Sequence, residues 1–209
     1  MTGYIIGLVL SLPGLLLALS MHEFAHGYAA YLMGDNTAKY NGRLSINPLD
    51  HLDPVGTICL LLFRFGWAKP VPINPYNFKN RRAGIIVVSL AGPFMNFILA
   101  LLSAFALALI SVYMPYSKIT EFLALVLYYS EILNVGLMVF NLIPIPPLDG
   151  SKVLLELLPY RYKEFFYRME RYSTLLLLVL LFANRNTFFL SRIQFAVLSF
   201  INMIVGLIF

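Results

Sequence analysis

His22, Glu23 and His26, in the run Met21-His22-Glu23-Phe24-Ala25-His26, make an H-E-x-x-H pattern. Wound as a helix, residues four apart project from one face, so both imidazoles reach toward the same point. That placement suits two ligands of a tetrahedral zinc, and Glu23 beside them can serve as general base for a water activated there. Unrelated helices contain the pattern by chance, as interfacial histidines beside a solvated Glu. The setting argues for more. Residues 4–20 carry no charge, so a helix ending in this pattern lies in or enters a bilayer, where ionisable groups are costly and mark function.

A third ligand has a candidate far along the chain. Asn141-Leu142-Ile143-Pro144-Ile145-Pro146-Pro147-Leu148-Asp149-Gly150 places three prolines within four residues, which no helix can carry through. Asp149 lies just past that break. It is either the cap of a following helical turn over 151–158 or the carboxylate that completes a zinc site of two His and one acid. Asn96, within Gly92-Pro93-Phe94-Met95-Asn96, sits inside an apolar span. There an Asn is either hydrogen-bonding glue between helices or part of a site.

The elements that must position these groups are membrane elements. The chain is 60% hydrophobic and only 12% charged over 209 residues, with a mean hydropathy of +0.79. Soluble domains carry about 25% charged residues, so the composition describes a polytopic membrane protein. The net charge of +5 is spread between apolar segments and makes no polar basic patch. It therefore speaks for topology and anionic lipid rather than nucleic acid. The single Cys59 rules out an internal disulfide. The start lacks a basic n-region, and its apolar run continues into the H-E-x-x-H residues, so it does not read as a cleavable signal peptide.

Patterning predicts a first helix from about Gly3 to Met33, interrupted or kinked at Pro13 and stopped by Gly34-Asp35-Asn36. Residues 37–80 recur in Pro and Gly, and short apolar runs at 57–63 and 69–73 look β-like. This region is expected to be an irregular or hairpin-forming segment dipping into the membrane, covered by protein where it is deep. Further spans are expected at 83–112 and 121–142. An interfacial aromatic helix follows at 159–172, then apolar segments at 173–183 and 187–209. The fold class is all-α: a bundle of about five transmembrane segments with a membrane-dipping β-like segment between the first two. A membrane core over 1–158 is followed by C-terminal helices over 159–209. Basic residues crowd 34–82 and 150–172, whereas the 113–120 turn has only Lys118. This asymmetry places the two basic stretches in the cytosol and the N-terminus outside. The end of the H-E-x-x-H helix and Asp149 then fall toward the same side.

These motifs together resemble the site-2 protease family of intramembrane zinc metalloproteases. The resemblance rests on His22 to His26, on Phe65-Gly66-Trp67-Ala68-Lys69-Pro70-Val71-Pro72, on Gly92 to Asn96, and on Asn141 to Gly150, in that order. Gly42-Arg43-Leu44-Ser45-Ile46-Asn47-Pro48 and His51-Leu52-Asp53-Pro54 add to it, and it covers roughly residues 5–160. It implies that His22, His26 and Asp149 hold Zn2+ and that Glu23 is the acid/base. Asn141 and Asn96 would bind substrate or the developing oxyanion. His51 would be a structural or substrate-side group, and 42–75 a membrane-dipping β segment that borders the substrate. The β-like runs themselves suggest that a strand edge within 42–75 receives an unwound substrate. The implied partners are a membrane-protein substrate with a transmembrane helix and membrane lipid, with no nucleic acid. The implied location is a bacterial cell membrane with the active site toward the cytosol. Neither 34–81 nor 113–120 has room for a PDZ insertion of about 90 residues, nor does the chain carry a nucleotide-sensing module, so a minimal form is expected. A reading from another class, a metal-ion transporter or metal-binding membrane protein using the same ligands, predicts polar residues continuing across the membrane. The first span offers none beyond Glu23. The sequence leaves oligomeric state and physiological substrate open.

Overall fold

The structure, a computed structural model, describes residues 2–63, 67–173, 175, 179 and 188–209. Every regular element among them is helical. Helix α1 (Thr2–Met33) runs unbroken through Pro13 and ends at Gly34, whose φ of 110° is a conformation glycine adopts without a Cβ penalty. Short helices α2 (Thr37–Tyr40), α3 (Pro48–His51) and α4 (Pro54–Phe63) follow, then a 3-10 turn over Pro75–Asn77. The long helices α5 (Arg81–Tyr113) and α6 (Lys118–Asn141) form an antiparallel pair. Helices α7 (Asp149–Leu157), α8 (Tyr160–Glu170) and α9 (Phe188–Gly206) complete the described chain.

Among the described residues, three helices are long and apolar enough to cross a membrane: Val9–Met33 within α1, Arg81–Tyr113, and Lys118–Asn141. The shorter α9 packs on α5 and α6. The span expected at 173–183 lies almost wholly outside the described residues. In lipid, close packing replaces the hydrophobic drive between helices, and small residues let backbones approach. Gly14 of α1 lies against Ser130 of α6 so closely that a Cβ there would come within 2.8 Å of the Ser130 backbone. Ala100 and Ala104 of α5 similarly receive Val135 and Val139 of α6 and Ile201 of α9.

The expectation for 37–80 needs correcting. The 57–63 run is helical rather than β-like, and no strand occurs among the described residues. Its start is an N-cap: Asp53 Oδ1 accepts the Gly56 N–H at 2.8 Å, with Pro54 in the first helical position. Among the described residues, the one β-type feature is an isolated antiparallel bridge between Leu52 and Ala68. Beyond it residues 69–73 form no regular element, and Pro70 and Pro72 hold the residues before them extended. The course of this stretch is fixed by Arg43 Nη2, which donates to the Lys69 carbonyl at 2.7 Å, and by the Lys69 N–H, which donates to the His51 carbonyl at 2.8 Å. His51 itself is buried and bonds the Ser45 carbonyl through Nε2, a structural placement away from the other two histidines. At the far side Asp35, fully buried, accepts from Thr37, Asn74 and Asn77 and ties the end of α1 to the end of the extended stretch.

Candidate metal centre

Helix α1 supplies His22 and His26 on the face turned toward α5. Helix α7 supplies Asp149 from its first turn. The proline-rich turn between α6 and α7 is folded back so tightly that a Cβ on Gly150 would strike the Leu142 and Ile143 carbonyls. Only glycine there lets α7 begin against the end of α6, and this is how Asp149 comes to face a helix 123 residues earlier in the chain.

The three side chains converge. His22 Nε2 and His26 Nε2 are 3.0 Å apart, and Asp149 Oδ2 lies 3.2 Å from the first and 3.1 Å from the second. All three residues are buried. The other nitrogen of each ring settles what these atoms are. His26 Nδ1 is 2.7 Å from the Val88 carbonyl, which can only accept, so the ring donates there. His22 Nδ1 is 2.5 Å from Asn96 Oδ1 and donates likewise. With their protons on Nδ1, both neutral rings turn bare Nε2 lone pairs toward each other and toward a carboxylate oxygen. Three acceptors at such spacing repel unless a cation lies among them. A tetrahedral ion with bonds of about 2.0–2.1 Å sets its ligands about 3.3 Å apart, so the donor set and its spacing fit zinc.

Helix α5 is pressed against this cluster. A Cβ on Gly92 would come within 2.5 Å of His26 Nε2 and 2.6 Å of His22 Nε2, so the glycine of the Gly92-Pro93 pair is what admits the imidazoles. Asn96, one turn on, is fully buried. Its amide is engaged by His22, by the Ala18 carbonyl at 3.3 Å and by Asn134 at 2.9 Å. It therefore backs a histidine and does not face the cavity, unlike the substrate-facing position expected from sequence.

The cavity itself, about 400 Å³, is lined by the cluster, by Glu23, by Val71 and Ile73 of the extended stretch, and by Asn141 and Lys152. Glu23 Oε2 accepts the Val71 N–H at 3.0 Å. Asn141 uses one Nδ2 hydrogen on the Leu137 carbonyl at 3.0 Å and borders the cavity. Lys152 was not singled out by sequence reasoning. Its Nζ donates to Asp149 Oδ1, the oxygen turned away from the imidazoles, at 3.0 Å. The signal was available, since a Lys three residues after the Asp shares its helical face. Burial disfavours the charged Asp149 carboxylate, and the Lys152 ammonium beside it favours that form.

Comparison with known proteins agrees with this chemistry. The sequence model of peptidase family M50 matches residues 109–184. The chain is 42% identical over 168 residues to the Bacillus subtilis protein named “Putative zinc metalloprotease YwhC”, covering 79% of this chain and 77% of that one. It is 32% identical over 152 residues to “Putative zinc metalloprotease Rip2” of Mycolicibacterium smegmatis, covering 70% and 56% respectively. The Rip2 protein of Mycobacterium tuberculosis is 30% identical over 150 residues with the same coverage. The chain thus spans little more than half the length of the mycobacterial relatives. No solved structure matches it.

Proposed function

The chain belongs to peptidase family M50 and is a zinc metalloprotease of membrane-embedded architecture, and from that premise we propose that it hydrolyses peptide bonds within or beside the membrane-spanning segments of other proteins. The observation that carries the proposal is the convergence of His22, His26 and Asp149 at one point on a helix whose apolar stretch, Val9–Met33, is long enough to cross a bilayer.

In this reading His22 and His26 through Nε2, with Asp149 through Oδ2, hold the zinc. Bound there, zinc supplies a Lewis acid that lowers the pKa of water toward 7 and polarises the scissile carbonyl. Glu23, oriented by the Val71 N–H, takes the proton of the attacking water and returns it to the leaving amine, a role worth about 10²–10⁴-fold in rate. Asn141 borders the same cavity and is placed to hydrogen-bond the substrate backbone or its developing oxyanion. Asn96 holds His22 in the tautomer that leaves Nε2 free. A transmembrane substrate must unwind locally before its carbonyls are accessible. The extended stretch Lys69–Ile73, which borders the cavity through Pro70, Val71 and Ile73, is the surface along which we place the unwound segment. The basic residues of 34–82 and 150–172 orient this cavity toward the cytosol of a bacterial cell membrane, with residues 1–158 as the catalytic core.

The test is reconstitution with single-span substrates, comparing the wild type with Glu23→Gln. We expect the mutant to keep its zinc and lose cleavage, and a chelator to abolish cleavage by the wild type. A Glu23→Gln protein that still cuts would overturn the assignment.

A further inference from the structure

A string of buried polar side chains leads away from the metal centre into the bundle. His22 Nδ1 meets Asn96 Oδ1; Asn96 Nδ2 donates to Asn134 Oδ1 at 2.9 Å; Asn134 Nδ2 donates to the Ser130 backbone carbonyl at 2.9 Å. Ser103 Oγ and Ser130 Oγ, 3.0 Å apart, close the far end. Asn96 and Asn134 are both entirely buried. Buried amides between helices ordinarily serve as packing glue. Here the directions of the bonds say more.

An amide has one end that accepts and one that donates, and each link in this string constrains the next. The Ser130 carbonyl can only accept, so it fixes the Nδ2 end of Asn134 against itself. Asn134 Oδ1 is thereby turned toward Asn96. That oxygen, with the Ala18 carbonyl, takes the two hydrogens of Asn96 Nδ2. Asn96 Oδ1 is then the only end left to face His22, and it requires a proton on Nδ1. Turned the other way, Asn96 would oppose its oxygen to that of Asn134 and present N–H groups to the imidazole, favouring a proton on Nε2, where the ligand lone pair is needed.

We propose that Asn134 is a positioning residue for the metal ligand His22, acting through the amide of Asn96 to keep Nε2 bare. The inference rests on the zinc-metalloprotease reading above. Outer hydrogen-bond partners of ligating histidines commonly account for 10–100-fold in metal affinity, and Asn134 stands one bond further out than such partners usually do.

The experiment measures zinc affinity by chelator competition on the full-length chain in detergent, for the wild type and for Asn134→Leu, Asn134→Ser, Asn134→Asp, Asn96→Ala and Asn96→Ala/Asn134→Leu. The visible spectrum of the Co2+-loaded protein reports ligand geometry, and helical circular dichroism with melting of the metal-free protein reports folding. Asn134→Leu is expected to bind zinc 10–100-fold more weakly and to shift the Co2+ bands. Asn134→Asp, which can offer C=O to Asn96 and O–H to Ser130, should stay within about threefold of the wild type. In the Asn96→Ala background the Leu substitution should add little, since the residue through which it acts is gone. A residue that merely packs would lower the melting temperature and leave zinc affinity and the Co2+ spectrum alone. That result, or additivity with Asn96→Ala, overturns the proposal. Asn134→Ser, too short to reach Asn96, gives the same reading should the Leu protein not fold. A wild type that binds no zinc removes the metalloprotease reading and this inference together, whereas a zinc-binding wild type matched by Asn134→Leu removes the inference alone.

Discussion

The backbone N–H of Val71 donates to Glu23 Oε2 across 3.0 Å, joining the extended stretch to the helix that carries the H-E-x-x-H pattern. One contact thus sets the register of 69–73 against α1 and fixes the rotamer of the proposed base, leaving its other oxygen for a water proton. Val71→Pro deletes that donor with little change in an extended, already proline-flanked segment. We expect full zinc content and a cleavage rate roughly tenfold or more below wild type, part of the 10²–10⁴ that a positioned base supplies. Metal analysis beside a cleavage assay checks this, and an unchanged rate would show that Glu23 needs no such tether.

Gly92 offers a test in which two effects have opposite signs. Within a helix, Gly→Ala normally stabilises by about 0.5–1 kcal/mol. At this position the added methyl lies within 2.6 Å of Nε2 of both His22 and His26, the nitrogens proposed to hold the metal. Because α5 is anchored along its length against α1 and α6, the imidazoles are the parts that must move. Gly92→Ala should therefore keep or raise the melting temperature of the metal-free protein while weakening zinc binding by at least about tenfold, measured by chelator competition.

Much of this site could be read before any coordinates, because its parts are local signals. The His22/His26 spacing, the proline break before Asp149 and the Gly34 stop each act over a few residues. The 57–63 run failed for a physical reason: a short apolar run has no period that separates strand from buried helix. The Asp53-Pro54 pair in front of it, an N-cap followed by the residue favoured at the first helical position, was the deciding cue. Asn134 escaped attention because its partner lies 38 residues away on another helix. Its spacing of seven from Asn141, two turns of one helix, was the available hint. The meeting of Asp149 with the histidines depends on how α6 and α7 stack, which no local pattern encodes.

Asp35 predicts an acid limit to stability. Burial pushes its carboxyl up, but hydrogen bonds from Thr37, Asn74 and Asn77 outweigh burial and bring it below its ordinary value of 3.8. A group whose native pKa is depressed adds stability that is complete above about pH 4 and is lost as pH falls through the native value. At pH 7, Asp35→Ala strands the donors of Thr37, Asn74 and Asn77 and should cost about 2–3 kcal/mol. Melting in detergent should show the gap between wild type and Asp35→Ala shrinking only below about pH 4. A gap that persists unchanged to pH 2 would mean that packing, not charge, holds this corner.

Lys152 separates electrostatic support from ligation at Asp149. The two oxygens of that carboxylate face different partners: Oδ2 meets the imidazoles, and Oδ1 takes the Lys152 ammonium. The lysine side chain is 55% exposed, so water screens its charge and its contribution is modest. Removing the ligand has no such compensation. Asp149→Ala should abolish tight zinc binding, whereas Lys152→Met should weaken it by no more than about tenfold, and Lys152→Arg by less. The loss in Lys152→Met should also shrink as salt is added to the wild type, since a half-exposed pair is screened. If Lys152→Met lost zinc as completely as Asp149→Ala, the ammonium would be needed to keep Oδ1 off the metal, and the view of Lys152 as a peripheral counter-charge would be wrong.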